Sequence, residues 1–506
     1  MKKKNKIIAV AGALVMSLLL SSCTIFDLVS KVSSSSVSSD SYSKGDGVVA
    51  KTMRDVYPYY MPSTGNIKVL VIPVQFSDYS SYATDAVKSQ IETTFFGNAA
   101  DTGWESVSSF YSASSYGKLN ISGTVSDWYK SGYTTSQLSK KTSSLTAYDP
   151  TWTILENAVS WYKSSTGSKC TEFDSDSDGL IDAVWLVYGA PYDKNSDLYW
   201  AYTYADSSVS TVSTKNPSPY YYSWASYKFM YEGYGQSNLD AHTFIHETGH
   251  LMGLDDYYVY SSELASSWKT NYNPMGSIDM MDVNIIDHNS FSKEILGWNS
   301  PQVVTKAGEF TINKATLDGS CLLIPTGDGW NGSSFDEYML LEYYTPDSLN
   351  EKDSASAYPG NKKQGFTTSG VRIFHVDARL AGTSDGENYY YSDTAYFTNS
   401  KYTTLAHSNT SGRNAINPKY RLIQTMDCQR KVNFDCDSYT KLGSSYAYEA
   451  QNSSLFGKGD VFSYSTYSHS FPNSANGTMN DGTKLGYKAT IKSLGDTSAT
   501  IVIENA

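Results

Sequence analysis

The pentapeptide His246-Glu247-Thr248-Gly249-His250 constrains this 506-residue chain more than any other feature. On an α-helix, residues i and i+4 share a face, so the spacing turns both imidazoles toward one point. The surrounding pattern predicts a helix starting near Asp240 and running through Leu251-Met252-Gly253. Two histidines so placed can grip one metal ion. Glu247 stands beside the open coordination position, where it can take a proton from metal-held water. Gly253 can adopt the left-handed conformation that ends a helix. The chain can then double back and bring Asp256 to the metal as a third ligand. The expectation is a zinc site of His246, His250 and Asp256, with Glu247 as general base, in the extended pattern HExxHxxGxxD. The weaker reading has the histidines capping a surface helix. A rival metal pair, His242 with His246, would put Thr243 where the base belongs and has no glycine-supported third ligand. His242 is therefore read as a supporting or surface residue.

Downstream lies Gly276-Ser277-Ile278-Asp279-Met280-Met281-Asp282. In metzincins, zinc peptidases with an extended histidine motif, a methionine-containing turn lies beneath the metal. With this turn in place, the chain resembles the immune inhibitor A type of secreted bacterial metallopeptidase. That family's "GLpDxY" run is matched by Gly253-Leu254-Asp255-Asp256-Tyr257-Tyr258, and its "xDxM" turn by Ile278-Asp279-Met280-Met281. Phe291-Ser292-Lys293 and Leu296-Gly297-Trp298 are similar to its "K..LGW" close. Ser115-Tyr116-Gly117-Lys118-Leu119 is similar to its upstream "SyGkl". Glu337 to Glu342 and Gly370 to Asp377 resemble its "EYfllE" and "GlliwHvD" strands, so the likeness covers most of 66 to 506. It implies an α+β fold, a metzincin-like zinc peptidase domain with Met281 as the turn methionine, packed under the site without binding zinc. Two departures stand out. There is no obvious inhibitory propeptide, and Asp255 replaces the usual proline, adding a carboxylate beside the metal.

A third feature is Asp174-Ser175-Asp176-Ser177-Asp178-Gly179-Leu180-Ile181-Asp182. Carboxylates at alternate positions and a glycine for the turn match the first nine residues of a calcium loop. Asp174, Asp176, Asp178 and Asp182 would supply side chains and Leu180 a carbonyl. The twelfth position is Trp185 rather than Glu, and a strand pattern follows, which excludes a regulatory EF-hand and leaves a structural calcium site. Asp-rich loops of this kind also occur in the resembled family. The plain alternative is a solvated acidic turn.

The amino terminus concerns destination. Four lysines within the first six residues precede the apolar run Ile7 to Leu20, which is short for a membrane span. The run ends in Leu20-Ser21-Ser22-Cys23, which resembles a bacterial lipobox, so residues 1–22 read as a lipoprotein signal peptide and Cys23 as the lipidated residue. An ordinary secretory signal is the alternative. Residues 23–50 are a Ser-rich stalk. With a net charge of −12, and more acidic still once those lysines are cleaved, the chain repels phosphate backbones and anionic bilayers. Of five cysteines, four remain after Cys23. Cys428 with Cys436 could close a local loop, leaving Cys170 for Cys321, and four unpaired thiols are nearly as good a reading.

The remaining pattern divides near residue 300. Residues 51–300 read as the catalytic domain, with a buried strand in IKVLVIPVQF, helices over 104–116 and from Thr151, and a second buried strand at 183–188. Pro73 argues against a central place for the first strand. Residues 301–506 show short apolar runs between turn residues, the rhythm of an all-β, sandwich-like domain. The function expected is zinc-dependent endopeptidase activity on extracellular proteins or peptides, tethered at the bacterial surface or secreted. An extended substrate would pair with an exposed strand around Trp200 to Tyr204. The rivals are a non-catalytic, metal-stabilised surface adhesin and a zinc amidase acting on cell-wall peptides.

Overall fold

A computed structural model describes residues 50–142, 149–206, 209, 212–259, 273–327, 330–383, 389–391, 404–410, 420–430 and 448–506. The expected signal peptide, Cys23, the expected stalk up to residue 49 and Cys436 lie outside the described residues, as do residues 260–272 between Asp256 and Met281. No described helix is long and apolar enough to cross a membrane.

The apolar run after Gly65 forms the eleven-residue strand β1 (Gly65–Gln75). It sits inside a six-stranded sheet with β2 (Leu119–Val125), β3 (Tyr129–Lys130), β4 (Val184–Tyr188), β5 (Tyr202–Ala205) and β6 (Tyr221–Ser226). The order is β2-β1-β4-β6-β5, with β3 also on β1; every pairing is parallel except that of β5, which closes one edge antiparallel to β6. Pro73 therefore lies in an inner strand, contrary to expectation, and the register explains why it is tolerated. Val71 turns its carbonyl toward the β2 side, where Ser126 N donates to it at 2.9 Å. Pro73, two residues on, faces the same side. There β2 has ended opposite Val71 and β3 starts opposite Val74, so no ladder donor is lost.

A parallel sheet covered on both faces needs apolar side chains on both. Four helices supply the covers: α1 (Asp85–Phe96), α2 (Val107–Ser114), α3 (Asp149–Thr166) and α4 (His242–Leu251). Leu70, Ile72, Val184 and Leu186 pack with Ile154, Leu155 and Val159 of α3. Val69, Val71, Trp185 and Val187 face the other way, into the core that holds α1, α2 and α4. The Phe244 ring of α4 meets Phe95 at 5.3 Å and Trp185 at 5.4 Å. Tyr111 of α2 donates its hydroxyl to the Ile245 carbonyl at 2.7 Å. The histidine helix is thus fixed from two sides before any metal is considered.

Past two short helices, α5 (Met280–Val283) and α6 (Ser290–Ile295), the chain becomes β-rich. Besides a small three-stranded sheet of Leu380–Thr383, Tyr389–Tyr391 and Thr404–Leu405, its longer sheets use β7 (Gly308–Asn313), β8 (Cys321–Pro325), β9 (Glu337–Tyr344), β10 (Gly370–Asp377), β11 (Ile423–Met426), β12 (Val461–Phe462), β13 (Tyr487–Leu494) and β14 (Ser498–Asn505). One sheet runs β11-β10-β9-β8 and ends on Gln302–Val303; the other runs β7-β14-β13-β12. Alternation along the strands sorts the side chains. Met339, Leu341, Val371 and Ile373 meet Ile491, Ile501 and Ile503 between the sheets. Tyr338, Leu340, Phe374 and Val376 point oppositely and join the core of α4. The molecule is mixed α+β. The all-β description of its second half is corrected by short helices at Ala315–Asp318, Glu351–Ala355 and Tyr464–Tyr467.

The Cys170–Cys321 pairing does not form, and both are free thiols. Cys170 is buried on the α3 side of the first sheet and Cys321 opens β8, so different cores hold them. Cys428 is also free.

Candidate metal centre

Helix α4 begins where Asp240 accepts the His242 amide at 3.0 Å and the His242 Nδ1 proton at 2.7 Å. A carboxylate there also complements the helix dipole. His242 is fully buried, correcting the surface alternative, and its ring lies between Trp104 at 4.3 Å and Tyr358 at 4.1 Å. The helix ends as expected at Gly253, with φ +94°. A Cβ at this position would also stand 2.7 Å from the Tyr60 ring, so glycine is required twice over.

The reversal brings Asp256 back onto the two histidines. Its Oδ1 lies 3.0 Å from His246 Nε2 and 3.2 Å from His250 Nε2, and the two Nε2 atoms are 3.1 Å apart. His246 Nδ1 is 2.9 Å from the Met280 carbonyl and His250 Nδ1 is 2.8 Å from the Leu254 carbonyl. A carbonyl only accepts, so each Nδ1 carries its proton and Nε2 is the position left to turn a lone pair toward a metal. With both rings neutral, three acceptor atoms would crowd one point, which then calls for a positive charge between them, a shared proton or a metal ion. Zinc ligands at ~2.0–2.1 Å in a tetrahedron are about 3.4 Å apart, close to the spacing found. The group His246, His250 and Asp256 can therefore hold a metal ion. The same crowding shifts its titration. Burial opposes charge on His250, yet the Asp256 carboxylate pushes it up to about 10, and the histidines hold Asp256 well below the usual carboxylate range against its own burial.

Glu247 is 5% exposed and borders the same point. Burial pushes its carboxyl up, while His250 and His246 draw it down. Thr203 Oγ1, on the edge strand β5, lies 3.0 Å from Glu247 Oε2, 2.9 Å from the Glu247 carbonyl and 2.7 Å from Ser223 Oγ. Tyr258 hydrogen-bonds Asp256, and burial raises its phenol well above the ordinary range.

Residues 276–282 pack against the histidine helix. Asp279 caps α5 by accepting the Met281 amide at 3.0 Å, and Asn289 Nδ2 donates to its other oxygen at 2.8 Å. Met281 is fully buried against Gly249, where an added Cβ would come within 2.8 Å of its sulfur. Met280, not Met281, supplies the carbonyl that orients His246. Asp255 does not join the metal group; its Oδ1 accepts the Asp256 amide at 3.1 Å.

The acidic loop gathers in part. Asp174, Asp176 and Asp182 present oxygens within 4.8 Å of one another. Asp178 is not among them, because its Oδ1 accepts the Leu180 amide at 2.8 Å. Leu180 lies in a two-residue strand paired with Ser218–Pro219. Arg54 forms an ion pair with Asp176, so one carboxylate already has a cation.

The motif did not disclose Thr203, Tyr258 or the carbonyls of Met280 and Leu254. Tyr258 was within sight, as the last residue of the "GLpDxY" match. Thr203 lies in the stretch read only as a substrate strand, and main-chain carbonyls have no residue signature. No family model matches the chain, and no curated protein matches it.

Proposed function

We propose that this chain is a zinc metalloendopeptidase that hydrolyses peptide bonds of extracellular proteins, held at the bacterial surface through a lipid on Cys23 or released. The observation that carries the reading is the convergence of His246, His250 and Asp256 with the buried carboxylate of Glu247 beside them. Zinc bound there would supply Lewis acidity toward water and toward the scissile carbonyl. The two imidazoles, their Nδ1 protons committed to carbonyls, keep Nε2 free for the ion. Glu247 accepts the proton of the attacking water and returns it to the leaving amine. Thr203, by donating to Glu247, holds that carboxylate in reach and joins it to β5. Among the described residues β5 has a strand partner on one side only, so an extended peptide can pair along its other edge. A purely structural metal site has no use for the glutamate, which disfavours the adhesin reading. The acidic loop is proposed as a calcium site of Asp174, Asp176 and Asp182, where a bound ion would compete with Arg54 for Asp176.

The test is digestion of casein by residues 24–506 with metal content counted. One zinc per chain and cleavage are expected, both abolished by a zinc chelator. Glu247→Ala should keep the zinc and lose on the order of 10²–10⁴ in rate. Cleavage by that variant at the wild-type rate would refute the base. Zinc without protein cleavage would favour short wall peptides, and neither zinc nor cleavage would favour an adhesin.

A further inference from the structure

Asp256 differs from the other two candidate ligands in what holds it. The histidines ride on a helix packed on two sides, whereas Asp256 lies past the helix end, in a turn that belongs to no helix or strand. Its Oδ1 must nevertheless stay within 3.0 and 3.2 Å of both Nε2 atoms. On one side the turn is tied to its own domain: Tyr257 N donates to the Met281 carbonyl at 2.8 Å, and the Tyr257 hydroxyl meets Ser292 Oγ at 2.7 Å. On the other side it is tied to residues some 150 positions later in the chain. Ser408 donates its hydroxyl to Asp255 Oδ2. Asn409 Nδ2 donates to the Tyr257 carbonyl at 2.9 Å.

Both donors are themselves braced. Asn409 is completely buried and its amide is fully used, since Nδ2 also reaches the Ile423 carbonyl at 2.8 Å and Oδ1 accepts the Ile423 amide at 3.2 Å. It is thereby fixed to the first residue of β11. Ser408 Oγ lies 2.9 Å from Thr410 Oγ1 and accepts the Thr410 amide at 3.1 Å. Just before them, His407 lies 3.2 Å from Asp377 Oδ1 and 3.0 Å from the Tyr391 hydroxyl. The segment is thereby tied to β10 and β11 of the second half of the chain, and it holds the motif at the residue before the ligand and at the residue after it.

We propose that Ser408 and Asn409 are positioning residues for the third metal ligand, a two-point clamp that sets the Asp256 carboxylate. The inference rests on the metal-site reading above. It also explains Asp255: a proline would restrict the turn unaided, whereas an aspartate restricts it only when its carboxylate is held. Outer partners that orient ligands typically carry 10–100-fold in metal affinity.

The test measures zinc affinity by chelator competition on the chain of residues 24–506, together with the visible spectrum of the cobalt-substituted protein. Ser408→Ala should weaken zinc about 10-fold and Asn409→Ala about 10–100-fold, each with an altered cobalt spectrum, while Ser408→Thr keeps wild-type values. Tyr343→Phe serves as the control. It removes the hydroxyl that donates to the Gly495 carbonyl at 2.7 Å, loosening the second half far from the clamp. It should lower the melting temperature and leave zinc affinity alone. Wild-type affinity in Ser408→Ala, or an equal loss in Tyr343→Phe, would overturn the clamp. A wild type that binds zinc and cleaves no protein would sink the peptidase alone, with the clamp still judged by the affinities. A wild type that takes up no zinc would remove both.

Discussion

At Gly249 the helix accepts a poor helix former inside the motif itself. Glycine costs about 1 kcal/mol relative to alanine in a helix interior, so the position needs a reason. A Cβ there would lie 2.8 Å from Met281 Sδ and 3.3 Å from its Cε. Met281 is fully buried, so its sulfur has little room to retreat. Gly249→Ala should therefore destabilise the protein by about 1–3 kcal/mol through overpacking, despite the gain in propensity. The clash is a pair effect, so combining it with Met281→Ala should give less than the sum of the single losses. Urea unfolding of the three variants measures this, and strictly additive losses would show that the methionine is not what the glycine makes room for.

One short helix carries a titration with a defined sign. Glu294 on α6 is buried under the second half of the chain, where it accepts the Ser334 hydroxyl at 2.7 Å and lies 3.3 Å from the Tyr338 hydroxyl. Burial pushes it up to about 7, against an ordinary 4.5, and the two hydroxyls only partly offset this. Between those values the unfolded chain has released the proton and the folded one still holds it. The stabilisation is thus complete below pH 4.5 and is lost as pH rises through 7, a contribution of roughly 1–3 kcal/mol. Glu294→Gln should flatten that part of the slope, read as urea midpoints at pH 4.5 and 7.5; an unchanged slope would place the titration elsewhere. Glu294 also marks how far the sequence could be read. Local patterns were legible: the helix expected over 104–116 formed as the shorter α2, with Val107, Phe110 and Tyr111 on it and Trp104 before its start, and the histidine helix with its glycine stop became α4 and Gly253. What stayed hidden depends on partners far along the chain. Pro73 fits an inner strand only because β2 and β3 leave a break, and Glu294 shifts because it is buried, against the pull of the hydroxyls of Ser334 and Tyr338 some forty residues on.

A boundary near residue 300 follows from the change of sequence rhythm, but the packing across it is continuous. Leu323, Tyr338, Leu340, Phe374, Val376 and Ile423 belong to the same core as Leu251, Met252, Leu254 and Met281. Polar groups cross as well. The amides of Ile286, Asp287 and Ser290 donate to Asp353, Asn350 and Glu342 at 2.7, 3.0 and 2.7 Å, and Arg372 donates to the Ile278 carbonyl at 2.9 Å. At the start of α4, Asp240 beside His242 holds its imidazole up to about 9 against burial, and His242 Nε2 lies 3.6 Å from Asp353 of the second half. Uncovering six comparable side chains of the first half at about 1.5–3 kcal/mol each costs about 9–18 kcal/mol, as much as the whole stability of a typical domain, about 5–15 kcal/mol. Residues 24–300 alone should therefore lack fixed tertiary structure, with no near-ultraviolet dichroism and no cooperative melt, whereas residues 24–506 should unfold in one transition. Calorimetry decides it. A sharp transition from the shorter chain, or two separate transitions from the longer one, would mean that the first half is complete in itself and that the second half only leans against it.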